Sequence, residues 1–226
     1  MLCSDVENKM KFRNVDKKTL VLVICAVIVM GFSLSFLQLC DFGADPFTCM
    51  NVAISDRLGW SFGNWQAVLN CLMFALVVLF AREQLGWGTL ANMFLVGYSR
   101  DFFCWVNSCW MEQFGLENLF DSMAVRVGVM IPALIVFVAA ASVYMAAQLG
   151  TAPYDAIAFL LSKCMKKIPF RVIRISCDLI VCLIGVLFGA KLGVVTVLMA
   201  FMLGPVITWM KVHVIDHFFQ PVQREE

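Results

Sequence analysis

Long uncharged runs separated by short polar breaks dominate this chain. Residues 20–40, 65–81, 84–99, 127–154 and 192–210 carry no Asp, Glu, Lys or Arg. A further apolar run at 179–190 reaches full helix length if it extends back through Arg171, Arg174 and Asp178. A helix needs about 20 apolar residues to cross a hydrocarbon core. In lipid the backbone must satisfy its own hydrogen bonds, so each run is predicted to be helical.

The runs repeat. Gly43-Ala44-Asp45-Pro46 aligns with Gly150-Thr151-Ala152-Pro153, 107 residues later. At that offset Ser55 meets Ser162, Leu85-Gly86 meets Leu192-Gly193, Thr89 meets Thr196 and Gly97 meets Gly204. The matches fall on glycine, proline and threonine at element ends, where backbone geometry restricts the residue. The expected fold is therefore an all-α polytopic membrane protein of two four-segment helical repeats. Each repeat has a long helix (20–40 or 127–148), then a Gly-x-x-Pro turn with a short helix (46–58 or 153–165). Two further helices follow (65–81 and 86–106, or 170–190 and 193–210). The organisation is a polar segment 1–18, a first repeat 19–106, an amphipathic linker 107–122, a second repeat 123–212 and a tail 213–226.

The short helix leaves the number of crossings open. Thirteen residues at about 1.5 Å each give roughly 20 Å, less than the hydrocarbon core. If it spans, there are eight crossings and parallel copies. If it is re-entrant, there are six crossings, two half-helices and an inverted second copy. The positive-inside rule slightly favours eight. The length and polarity of 46–58, with Thr48, Asn51, Ser55, Asp56 and Arg57, favour six plus two, and the balance tips that way.

Composition fits lipid as the solvent: 62% of residues are hydrophobic and 15% charged, against about 25% charged in soluble domains. A net charge of +1 gives no basic face for nucleic acid. Lys9, Lys11, Arg13, Lys17 and Lys18 precede the first apolar run, which is too long for a signal-peptide core; the N-terminus is expected in the cytoplasm, and the C-terminus with it. The ten cysteines form no CxxC and are read as small hydrophobes. Cys104 and Cys109 could pair only in an oxidising compartment. The Trp residues near segment ends suit an interfacial aromatic belt.

The run GADPFTCMNVAISDRLGWSFG, with LGWGTLANMFLVG after it, resembles the YczE/YyaS/YitT group of bacterial membrane proteins. The second half keeps GTAPYD and LGVVT but has KKIPF in place of GWSFG. The resemblance covers residues 20–210. It implies a multi-pass bacterial plasma-membrane protein with a transport or accessory role.

Ionisable groups at membrane depth are costly, so each is a candidate for function. Asp155 follows Pro153 in the first turn of the second short helix, where the helix dipole favours an acid. Asp45 precedes Pro46 and reads as a cap. Arg174 and Asp178, four apart, share a helix face; Asn70 falls beside the equivalent position in the first repeat. The candidate substrate- or ion-binding set is Asp155, Asp178, Arg174 and Asn70. Gly43, Pro46, Gly150 and Pro153 are the structural turns. Asn51 and Asn92 read as interhelical hydrogen bonds, and Arg100 with Asp101 as interface anchors. Gly185-x-x-x-Gly189 reads as a helix contact. His213 and His217 lack further zinc ligands, and no phosphate-binding loop is present. No enzyme, metal or cofactor is expected. The partners expected are the bilayer and a small-molecule or ion substrate, with oligomeric state left open. Broken segments in both halves point to a secondary transporter with its site at the repeat interface. The alternative is an accessory protein docked through the basic loop of Lys163, Lys166, Lys167, Arg171 and Arg174.

Overall fold

A computed structural model describes residues 16–116, 118–165 and 167–201. The flanking basic residues 9–13, Lys166, both histidines and the last helix beyond 201 lie outside the described residues, as do the tail 213–226 and most of segment 1–18.

Seven helices span α1 (Lys17–Cys40), α2 (Pro46–Leu58), α3 (Phe62–Phe80), α4 (Trp87–Phe114), α5 (Met123–Ala146), α6 (Pro153–Cys164) and α7 (Phe170–Leu187). An eighth, α8, opens at residue 194 and is described to 201. Local chemistry sets the ends. The Asp45 carboxylate accepts from the Thr48 amide at 3.0 Å, and Pro46 opens α2. Ser61 caps α3 through Asn64 N at 3.2 Å. Gly43 and Gly150 sit at φ +86° and +112°, which side chains disfavour. α4 continues past Val106 to Phe114, so residues 107–114 of the expected linker belong to this helix. Gly88 and Gly97 lie inside it without breaking it, and Gly115 ends it in the left-handed conformation.

The packing is that of a membrane protein. Outward positions are apolar, with Leu72, Leu79, Leu183 and Leu187 exposed, while Asn51, Asn70, Gln66, Arg100 and Asp178 are buried. Among the described residues, α1, α3 and α5 are long and apolar enough to span a bilayer. α7 carries Arg171, Arg174 and Asp178, so its span depends on burying polar groups against its neighbours.

The short helices enter from opposite ends of the bundle. α2 ends beside the end of α7, where Arg57 Nε donates to the Phe188 carbonyl at 3.2 Å. α6 ends beside the turn after α3, where Lys163 pairs with Glu83. Their N-termini meet between those ends, with Phe47 stacked on Tyr154 at 4.7 Å. Neither crosses the bundle. Each packs on the third helix of the other half, α2 on α7 and α6 on α3.

Their turns are clasped in the same crossed way. Gly88 N donates to Leu149 O at 2.8 Å, and Val195 N donates to Phe42 O at 3.2 Å. Residues 88 and 195, and 42 and 149, are each 107 apart. Gly150 lies against Gly86 and Thr89; Gly43 lies against Gly193 and Thr196. Thr89 Oγ1 accepts from Gly86 N at 3.2 Å and Thr196 Oγ1 from Gly193 N at 3.4 Å, so each threonine also holds its own helix start.

Candidate functional site

The N-termini of α2 and α6 face a cavity of about 100 Å³. Seven of the eight helices contribute to its wall: Met30 from α1, Asp45 and Thr48 at α2, Gln66 and Asn70 from α3, Asn92 from α4, Tyr144 from α5, Tyr154 and Asp155 from α6, Arg174 from α7. Its polar groups come from both halves.

Arg174 organises the charges. Its guanidinium pairs with Asp155 across to α6, and its Nε lies 3.5 Å from Asp178 one turn further along α7. It also sits over the Tyr154 ring, 4.7 Å from the centroid. Asp178 is buried and accepts from the Tyr154 hydroxyl at 2.6 Å. A lone guanidinium at this depth would be costly; two carboxylates and an aromatic face make it tolerable. Asn70 donates to the Met93 carbonyl at 3.2 Å, so one of its polar groups is committed to α4. The Tyr144 hydroxyl is buried with no hydrogen-bond partner among the described residues.

The structure thus brings three of the four predicted site residues to one cavity wall: Asp155, Arg174 and Asn70. Asp178 stands behind them, holding Arg174 and Tyr154. Pro46 and Pro153 open the helices whose starts face the cavity. Asp45 caps α2 as expected and also lines the cavity. Sequence reasoning missed Tyr144, Tyr154 and Gln66. A usable signal existed, because the chain has three tyrosines and two of them lie at this site.

Three other expectations change. Arg100 and Asp101 are not interface anchors: Arg100 is buried over the Phe62 ring at 4.2 Å, and Asp101 accepts from Gly63 N at 2.7 Å, tying α4 to α3. Trp65 leaves the aromatic belt to donate to Asn51 Oδ1 at 3.0 Å. Arg174 leaves the basic loop for the interior. Gly185 behaves as expected, with a Cβ there meeting Met50 Cα of α2 at 3.2 Å. Cys104 and Cys109 are unpaired.

A second space of about 300 Å³ lies toward the end that carries Asp41, Asp56 and Lys191. It shares Leu34 and Thr48 with the central cavity, so these two side chains separate them. At the opposite end α6 packs on a dry cluster of Val77, Ala81, Leu85 and Ala156, and Lys163 pairs with Glu83.

Buried polar side chains around a central cavity, inside an apolar exterior, define a polytopic helical membrane protein. The chain belongs to a family of unknown function, DUF6198, whose profile matches residues 17–212. It is similar to an uncharacterized protein of Haemophilus influenzae, 24% identical over 207 residues, covering 84% of this chain and 82% of the relative. It is also similar to the uncharacterized membrane protein YczE of Bacillus subtilis, 24% identical over 138 residues, covering 61% and 60%. No solved structure matches.

Proposed function

We propose that this protein is a secondary transporter of a small solute, built from an inverted duplication and working in a bacterial plasma membrane. The observation that carries the reading is the central cavity between the facing N-termini of two half-helices. Discontinuous helices that meet at mid-depth between two repeats are the arrangement transporters use for substrate and coupling ions. The crossed hydrogen bonds at the 107-residue offset support a pseudo-two-fold relation. The opposed directions of α2 and α6 support inverted copies, with six crossings by α1, α3, α4, α5, α7 and α8. The positive-inside rule then puts the Lys163 end, with both termini, in the cytoplasm.

The two ends differ as alternating access requires. The Asp41–Lys191 end holds a vestibule of about 300 Å³ beside the cavity, separated from it by Leu34 and Thr48. The Glu83–Lys163 end is packed shut. Rocking one half on the other would open the second end and close the first.

Two measurements test this. A cysteine at position 60, in the turn after α2, is expected to label from outside; labelling from the cytoplasm would remove the topology. Solutes that raise the melting temperature of purified protein are then loaded for counterflow in proteoliposomes. Flux is expected with wild type and loss with Asp155→Asn or Asp178→Asn. Binding without flux above empty liposomes would move the protein to the accessory class. Unchanged flux in Asp178→Asn would remove Asp178 from the mechanism.

A further inference from the structure

Two carboxylates, Asp155 and Asp178, pair with a single guanidinium at the cavity, and a third, Asp45, lies on the same wall. Asp45 and Asp155 line it with Arg174, and Asp178 backs Arg174 directly. The next buried cation, Arg100, is committed to Asp101 at 3.0 Å and lines the other space. Each half-helix N-terminus adds roughly half a positive charge. Two such ends and Arg174 leave about one negative charge uncompensated among the three acids. A net charge in a low-dielectric site is costly, so a site of this kind draws in the opposite charge.

The second observation is independent of the charges. Tyr144 lines the same cavity, and its hydroxyl is buried without a partner among the described residues. Buried polar atoms in folded proteins nearly always have partners, so an orphan on a cavity wall points at something that fills the cavity. A hydroxyl can offer its lone pairs to a cation or an N–H donor. The volume of about 100 Å³ limits the occupant to a few heavy atoms.

We infer that the cavity binds one compact monovalent cation, held by Asp45 and Asp155 with the Tyr144 hydroxyl as a neutral ligand. This rests on the transporter reading for its purpose but not for its geometry. Two sources share the chemistry: an alkali ion, or the ammonium head of a small amine.

The test measures melting temperature and binding heat for the purified full-length chain, at mildly alkaline pH so that protons compete least. The bulk cation is N-methylglucamine, too large for the cavity. Sodium, potassium and lithium chlorides form one arm, ethylammonium chloride the second, and N-methylglucamine acetate the anion control. The expected result is stabilisation and saturable binding in one of the two cation arms and none with acetate. Saturation by alkali salts assigns an inorganic ion; saturation by ethylammonium alone assigns an amine. Asp45→Asn should weaken binding at least about tenfold, because it removes one partner of a buried charge pair. Tyr144→Phe guards against a variant that merely misfolds. It removes a hydroxyl that bonds nothing among the described residues, so it should keep the unliganded melting temperature and still weaken the cation-dependent rise.

Stabilisation by acetate, no binding in either cation arm, or undiminished binding in Asp45→Asn would each overturn the inference. Cation binding without flux would leave the site standing and sink the transporter reading. Flux of a neutral or anionic solute with no cation binding would do the reverse.

Discussion

The two short helices, which start 107 residues apart, occupy opposite situations. α2 begins with a capping aspartate outside the helix, and α6 begins with an aspartate inside its first turn and no side-chain cap. Along α2, Thr48, Cys49, Val52 and Ala53 line the space of about 300 Å³. On α6, Ala156 is sealed against α3. A short helix thus lies once beside the larger space and once in an apolar seam. On the transporter reading, side chains at the two interfaces, rather than the helices themselves, decide which end opens.

The largest perturbation of that contrast is expected at Arg174, which α6 and α7 share and α2 and α3 lack. Arg174→Met would leave Asp155 and Asp178 buried without their cation, at a cost of about 3–5 kcal/mol. Thermal melting in detergent should show a large loss. The double change Arg174→Met with Asp178→Asn should recover part of it, and a melting temperature unchanged in the single variant would mean that the charges are already solvated.

The crossed clasp gives a smaller, symmetric effect. A Cβ on Gly86 would run into the Leu149 carbonyl, and one on Gly193 into the Phe42 carbonyl. Gly86→Ala and Gly193→Ala should each cost about 1–3 kcal/mol, as overpacking does. Gly128→Ala on α5 has open space around it and should be neutral or stabilise by up to about 1 kcal/mol. If Gly86→Ala and Gly193→Ala differed greatly in melting temperature, the clasps would not be equivalent.

The smallest effect is expected at the vestibule mouth. Lys191 contacts Asp41 at 3.0 Å, but Lys191 is 79% exposed. Lys191→Ala should change stability by less than about 1 kcal/mol. A larger change in the melting curve would mean that this pair closes the vestibule and is not a solvated surface contact.

Much of this was legible in the sequence, and the reason is locality. Helix starts depend on residues within one turn: Pro46 and Pro153 with no amide to satisfy, Asp45 reaching Thr48, Gly43 and Gly150 taking positive φ. The residues at 194–201 begin a helix where the first half predicts one. Polarity at membrane depth is visible one residue at a time, which is why Asp155, Arg174, Asp178 and Asn70 stood out. Where local signals ended, so did the reading. Arg100 looked like an anchor because its partners, Phe62 and Gly63 with Asp101 between them, lie on another helix. Residues 107–114 looked like a linker because polar and aromatic residues suit an interface and a helix equally.

By itself, then, the sequence determined an all-helical membrane chain, the positions of most helix starts, the 107-residue offset and the costly ionisable groups. Each follows from hydrogen bonding and solvation that the backbone must satisfy locally. Only the tertiary structure decided that the short helices meet head to head, that each half's glycine turn is clasped by the other half, and that Tyr144 and Asp45 join Asp155 and Arg174 around one cavity. Those are contacts between residues far apart in the chain, set by which helix faces pack together, and no local pattern encodes them.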